Sequence, residues 1–347
     1  MPTISVDQNL IAHLLSKHGI ENDIERMGDE LPLLGTDIDA CNKQSLDIEI
    51  FPDRPDLLSG ETLTRAIRPF LYAAKAKTSL DVQNGDIKMS VDTTLEHVRP
   101  VILGAVVRTV DTGDSPEDNE AFIKALMDHQ EKLHFALGRG RKRASIGVHD
   151  LATLAPPFHV MTVSGKTEFT PLAMEAPMTI DNILEKHPKG VDFAHLLKDT
   201  DAYPVIVDSN NAVLSFPPII NGNHTTVTST TRDFFIDVTG WDRRACEASL
   251  MLIASQLEER GGTVESIEVT GYDGTTEVLP NAAPIQHEVT ERLLDGLLGR
   301  SLNDEEIEQS INRMGGAFLG RSRVNGAPER APMNMADVVD GDTILTF

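Results

Sequence analysis

"SFPPIINGNHTTVTSTTRDFFIDVTGWD", residues 215–242, packs an unusual number of small polar groups beside very few charges. Pro217 and Pro218 restrict φ, while Gly222 is free to turn. The "FPPII" segment is therefore a rigid turn that holds Ser215 and Asn221 in fixed positions. The stretch ends in the apolar run "DFFIDVTG", which reads as a strand. Asp237 and Thr239 are two apart on that strand, so their side chains share one face, with Val238 toward the core. Either that face is simply the wet side of an amphipathic strand, or a carboxylate and a hydroxyl form one wall of a pocket suited to a phenol or an amine. Just upstream, "YPVIVDSNNAVLSFPPII" (203–220) reads as two strands joined by the turn Asp208-Ser209-Asn210-Asn211.

Outward from this stretch, strands and helices mix. "PVILGAVVRTV" (100–110) is a buried strand. "SPEDNEAFIKALMDHQEKLHFAL" opens with Ser115 as N-cap and Pro116 at the first helical position. "ASIGVHDLATL" is a strand ending at His149-Asp150, and "PMTIDNILEKHPKGVDFAHLLKD" a pair of short helices broken at Pro188-Lys189-Gly190. "RACEASLMLIASQLEERGG" is an amphipathic helix, and "VESIEVTGYDG" a final strand. At the front, a short extended segment leads into "QNLIAHLLSKHGI", a helix; "IERMGDELPLLG" ends that unit in a turn, "SLDIEIF" alternates as a strand, and Ser59 caps a helix after a Pro52/Pro55 loop. At the back, Asn303 and Asp304 open a helix with Glu305 and Glu306 in its first turn. The expected fold is multidomain α+β, with mixed antiparallel and parallel sheets, flanking helices and a small C-terminal helix-turn-helix-like module. The expected boundaries are 1–90, 91–271 and 272–347.

Composition narrows the function. Hydrophobic residues at 40% suit a globular core. No apolar run approaches the roughly 20 residues that span a bilayer, and no basic segment precedes the first apolar residues. Cys41 and Cys246 are far apart and read as reduced packing residues, which fits a cytoplasmic protein. A net charge of −23 argues against a nonspecific nucleic-acid coat, because phosphates demand cations. One local exception stands out. "GRGRKR" (138–143) gathers Arg139, Arg141, Lys142 and Arg143, either as a solvated basic turn or as a loop that meets a phosphate backbone.

The chain has no Walker loop, GxGxxG, HExxH or GxSxG. His149, at a strand end, is either a structural histidine or part of a substrate-facing polar pair. A pocket of neutral hydroxyls and amides needs no nucleophile of its own, since small dipoles can orient a water against an ester.

Several long segments carry a family resemblance: "MPTISV", "FPDRPDLLSGETLTRAIRPFL", "HQEKLHFALGRGRKRASIGVHDL", "YPVIVDSNNAVLSFPPIINGNHTTVTSTTRDFFIDVTG" and "LLGRSLNDEEIEQSINRMG". In this order the chain resembles the β subunit of phenylalanyl-tRNA synthetase of the archaeal and eukaryotic cytosolic type, from residue 1 to about 320. The resemblance implies an N-terminal module, then a module that hydrolyses tyrosine wrongly attached to tRNA, then a small helical module. It implies that Ser215, Asn221, Asp237 and Thr239, with His149 nearby, form the editing pocket. Unpaired polar groups there regain their hydrogen bonds only when a phenol is present, so phenylalanine is rejected. It also implies partners: an α subunit, in a heterotetramer of two α and two β, and tRNA(Phe), with no membrane. Activation of phenylalanine with ATP would reside in the α subunit.

The family continues into a half that docks on the α subunit, whereas this sequence stops at Phe347. Within "ERAPMNMADVVDGDTILTF", Asp337, Asp340 and Asp342 correspond either to family magnesium ligands or to a solvated acidic tail. The competing functional readings are a free-standing hydrolase that clears mischarged tRNA, and a non-catalytic RNA-binding fragment.

Overall fold

The computed structural model describes residues 2–200, 202–324, 339 and 341–347. Their contacts gather into two compact units. One is built mainly from Leu80–Ala282 with Ile50–Thr62, the other from Thr3–Glu49, Leu63–Ser79 and Ala283–Phe347. Both are mixed α and β, as the alternation of patterns predicts.

The larger unit carries two sheets. A five-stranded sheet runs in the order Val82–Gln83, Thr263–Glu265, Val101–Arg108, Phe234–Gly240, Ala144–Asp150. Helices Pro116–Ala136 and Arg243–Glu259 pack on it. The first helix begins with a full capping box between Ser115 and Asp118, as the Ser-Pro opening predicts. A seven-stranded sheet runs in the order Ile220–Asn221, Val213–Phe216, Tyr203–Val207, Phe158–Val163, Lys88–Val91, Ile267–Thr270, Thr276–Leu279. The two sheets meet closely at Gly104, where an added Cβ would sit 2.6 Å from Ile267 Cδ1 and 3.1 Å from Met89 Cε.

The strand Phe234–Gly240 is buried along its whole length. Phe234 turns toward the helices, meeting Phe122 edge-on at 6.3 Å between ring centroids. Phe235 turns the other way and packs on Phe158 at 4.4 Å. Alternation puts Asp237 and Thr239 on the same side as Phe235. That side faces the protein interior, so the reading of a wet face is corrected: a second sheet covers what a lone amphipathic strand would expose.

The hairpin predicted over 203–220 forms, with Tyr203–Val207 antiparallel to Val213–Phe216. The paired short helices are Ile180–Lys186 and Pro188–Phe193, and Pro188 starts the second one. "VESIEVTGYDG", however, is two strands. The chain leaves the five-stranded sheet after Glu265 and joins the seven-stranded one at Ile267. One residue of crossover leaves no mark on a local pattern.

In the smaller unit, Thr3–Asp7, Ser45–Ile50 and Thr36–Cys41 form a sheet in that order, beside the helix Gln8–Ser16. The segment read as a turn, "IERMGDE", is a helix, Ile24–Glu30, because Asp23 accepts the Arg26 N–H and caps it. Near the C-terminus, helices Glu291–Leu298 and Asp304–Arg313 form as expected, the latter with a capping box between Asn303 and Glu306. A three-stranded antiparallel sheet of Glu288–Thr290, Thr343–Thr346 and Gly320–Arg323 joins them.

Candidate functional site

In the larger unit a cavity of about 300 Å³ opens beside the proline turn. Its walls come from the second half of helix Pro116–Ala136, from the strand Ala144–Asp150, and from the segment running through Pro217 and Pro218 to Val227. Of the residues singled out from sequence, Ser215, Asn221, Asp237 and Arg141 line it. His149 sits behind Asp237, and Thr239 stands outside the lining.

Asp237 owes its place to a missing side chain. Its cross-strand partner is Gly147. A Cβ at Gly147 would overlap Asp237 Oδ2 and lie 2.7 Å from His149 Nε2. Only glycine leaves room for the carboxylate there. His149 Nε2 is 2.7 Å from Asp237 Oδ2, and both side chains are fully buried. His149 Nδ1 meets Thr225 Oγ1 at 2.9 Å, and that hydroxyl also reaches Gly222 O at 3.0 Å. One carboxylate oxygen is thus clamped, while Oδ1 has no hydrogen-bond partner among the described residues. An acceptor without a hydrogen bond on a buried residue that lines a cavity favours a ligand that brings a donor.

The proline turn behaves as its sequence predicts. Ser215 and Asn221 are direct cross-strand partners, with Ser215 Oγ 3.4 Å from Asn221 Oδ1. Phe216 and Ile219 anchor the turn from below in an apolar cluster with Val205, Ile180 and Ile183. Arg141 holds it from the side: Nη1 donates to Pro218 O at 3.2 Å and to Ile219 O at 2.9 Å.

Thr239 does something other than line the pocket. Arg99, 2% exposed, donates from Nε to Thr239 Oγ1 at 2.7 Å and from Nη2 to Thr239 O at 2.7 Å, Ser145 Oγ at 3.0 Å and Arg141 O at 3.2 Å. Burial lowers the Arg99 guanidinium to about 10, which leaves it a cation at neutral pH. All its hydrogen bonds go to neutral oxygens. Thr239 faces this cation, and Ser145, its cross-strand partner, takes the place in the cavity wall.

The basic run is split by its own fold. Arg139 and Lys142 are exposed. Arg141 is buried, stacked 4.4 Å over the Phe193 ring and bonded from Nη2 to Glu131 at 2.7 Å. Arg143 pairs with Asp242. Arg139 and Arg141 both adopt left-handed φ, 47° and 67°, a costly conformation that turns alternate side chains in and out. The expectation of four cations free for phosphate is corrected for Arg141, whose guanidinium is spent inside. At the cavity edge, the His134 N–H and then the Arg141 guanidinium hold the Glu131 carboxyl well below the usual carboxylate range. Lys189 Nζ adds a contact at 3.1 Å.

Sequence reading missed Ser145, Glu131, His134, Lys189 and Thr225. A signal for Ser145 existed: Ser145, Gly147 and His149 recur at period two in "SIGVH" and so share one face. No local signal brings Lys189 to the site. Of the three acids expected to bind magnesium, Asp337 and Asp340 lie outside the described residues. Asp342 is bonded by Arg292 and by the Val339 N–H. Among the described residues no three His, Cys, Asp or Glu side chains cluster so as to hold a metal, and none of their helices is long and apolar enough to cross a membrane.

Residues 98–275 match the B3/4 domain family, a span that contains the whole cavity. A phenylalanine–tRNA ligase β subunit of Methanococcoides burtonii is 44% identical over 82% of this chain and 52% of its own length. That of Methanosarcina acetivorans is 42% identical over 91% of this chain and 57% of its own. That of Methanospirillum hungatei is 38% identical over 98% of this chain and 59% of its own. The chain thus spans somewhat more than half the length of these curated relatives. Among solved structures, an N-terminal fragment of the phenylalanyl-tRNA synthetase β subunit from Pyrococcus horikoshii superposes with a TM-score of 0.83 at 29% identity, covering 100% of this chain and 93% of that one.

Proposed function

The chain belongs to the B3/4 domain family and is homologous to archaeal phenylalanine–tRNA ligase β subunits; from that premise we propose that it serves in such a ligase and that its cavity hydrolyses tyrosine wrongly esterified to tRNA(Phe). The observation that carries this reading is Asp237: a buried residue whose Oδ1 takes no hydrogen bond among the described residues, on the wall of a cavity that also presents hydroxyls, amides and apolar groups, with Glu131, His134, Arg141 and Lys189 completing its lining. A phenol bonds to it. Phenylalanine leaves it desolvated and unpaired, at a cost of about 1–3 kcal/mol, more for a charged group.

The chemistry requires no protein nucleophile. His149 is committed to Asp237 and Thr225, and His134 Nε2 accepts the Ile146 N–H at 2.8 Å. Neither histidine is positioned as a base for Ser145 or Ser215. Hydrolysis then rests on a water oriented by fixed dipoles against the ester, with the tyrosyl ring held by the proline turn. Activation of phenylalanine with ATP and magnesium falls, on this reading, to an α subunit in the cytoplasm. The exposed Arg139 and Lys142, two residues before and one after the cavity residue Arg141, are the groups this reading assigns to tRNA phosphates.

The test is deacylation of Tyr-tRNA(Phe) by the purified chain and by Asp237→Ala. Loss of the phenol's partner predicts a ten- to hundred-fold slower rate, from about 1–3 kcal/mol, with the fold unchanged by circular dichroism. Equal rates in parent and variant refute the assignment.

A further inference from the structure

The hydrogen-bond inventory of the wall behind Asp237 leaves one proton unassigned. Thr239 is fully buried. Its hydroxyl oxygen accepts from Arg99 Nε–H, and among the described residues the only other hydroxyl in reach is Ser145 Oγ at 3.1 Å. A buried hydroxyl donates where an acceptor is available, so Thr239 O–H donates to Ser145. Ser145 Oγ also accepts from Arg99 Nη2 at 3.0 Å. With both lone pairs engaged, the Ser145 oxygen acts only as a donor, and its own proton is directed at the cavity it lines. Two donors behind it, one of them cationic, polarise that O–H in a site of low dielectric, which strengthens the bond it gives.

Ser145 stands two residues from Gly147 on the strand paired with Asp237. The cavity therefore offers, on two paired strands of one wall, an acceptor without a hydrogen bond, Asp237 Oδ1, and a donor, Ser145 O–H. The geometry points to a hydroxyl clamp in which a ligand O–H donates to Asp237 and the same oxygen accepts from Ser145, making Ser145 a specificity-determining residue that Thr239 and Arg99 position. Such a pair distinguishes a hydroxyl both from a group that only donates, such as an aryl amine, and from one that only accepts, such as a methyl ether. The inference rests on the proposed tyrosine reading but separates from it in the laboratory.

The experiment measures binding of four non-hydrolysable amides to the full chain by calorimetry: tyrosinamide, phenylalaninamide, 4-aminophenylalaninamide and 4-methoxyphenylalaninamide. The parent is expected to favour tyrosinamide over each of the others. Ser145→Ala is expected to erase most of the preference for hydroxyl over amine, about tenfold for one hydrogen bond, with affinity for the amine and for phenylalaninamide unchanged. Uniform weakening toward all four would make Ser145 a packing residue and overturn the clamp. So would a parent that fails to prefer the hydroxyl. Should Ser145→Ala misfold, the nearly isosteric Ser145→Cys, a weak donor, gives the same comparison. Tyr-tRNA(Phe) deacylation is scored separately: a parent that deacylates while Ser145→Ala keeps the hydroxyl preference refutes the clamp and leaves the editing reading standing. A parent that selects the hydroxyl but does not deacylate refutes editing and leaves the clamp.

Discussion

Gly147→Ala tests the architecture of the site with a single methyl group. Gly147 lies in the buried strand Ala144–Asp150, directly opposite Asp237, and its new Cβ would overlap Asp237 Oδ2 and crowd His149 Nε2. The backbone has little room to retreat, because the strand is paired to Phe234–Gly240 along seven residues. The carboxylate must therefore move. Overpacking of a well-packed interior costs about 1–3 kcal/mol. Loss of the His149–Asp237 hydrogen bond, which is charge-assisted, adds about 1.5–3 kcal/mol. The sum is roughly 2.5–6 kcal/mol, and for a body of this size each kcal/mol shifts Tm by about 2–4 °C. Thermal denaturation followed by circular dichroism should show Tm lower by at least about 5 °C, with any folded variant unable to select tyrosine. A Tm within about 1 °C of the parent would show that Asp237 and His149 are not held as described, and would refute the argument that glycine is required there.

Other consequences follow from the same geometry. His129 is buried, and burial lowers its imidazole to about 4; the unfolded chain therefore binds the extra proton first as pH falls. Stability should decline through the window from about 6.5 to about 4, by at most roughly 1.4 kcal/mol per pH unit from this group; urea midpoints at pH 7 and 5 should differ less in His129→Gln, which removes the titration. Arg139→Ala with Lys142→Ala should weaken tRNA binding for all sequences alike and reduce the slope of log affinity against log salt by about 0.7–0.9 for each phosphate lost; an unchanged slope places the contact elsewhere. Arg141→Ala should instead loosen the proline turn, because its guanidinium holds Pro218 O and Ile219 O, and should lower amino-acid selectivity at least as much as tRNA affinity, read by titrating both ligands.

Much of this molecule was legible without coordinates because the decisive signals are local. Ser115-Pro116 opens a helix wherever it occurs before an amphipathic run, since the cap and the missing N–H act within one turn. Asp208–Asn211 closes a hairpin, and two prolines stiffen a turn, by the same short-range sterics. That Ser215 and Asn221 are held by a rigid turn followed from those prolines, and the shared face of Asp237 and Thr239 from strand periodicity alone, whereas the Ser215–Asn221 pairing is a feature of the folded ladder. What tertiary structure decided is which face is inside and who stands opposite whom. The second sheet turned the supposed wet face of Phe234–Gly240 into an interior one. Cross-strand register set Gly147 against Asp237 and so made space for a carboxylate. The buried Arg99, 140 residues before Thr239 in sequence, claimed that threonine and left Ser145 in the wall. Arg141, one of four cations in a six-residue run, turned inward because Glu131 and two carbonyls were waiting there. Periodicity fixes the direction of a side chain relative to its neighbours in the chain; only packing between distant segments fixes whether that direction meets water, a charge or a ligand.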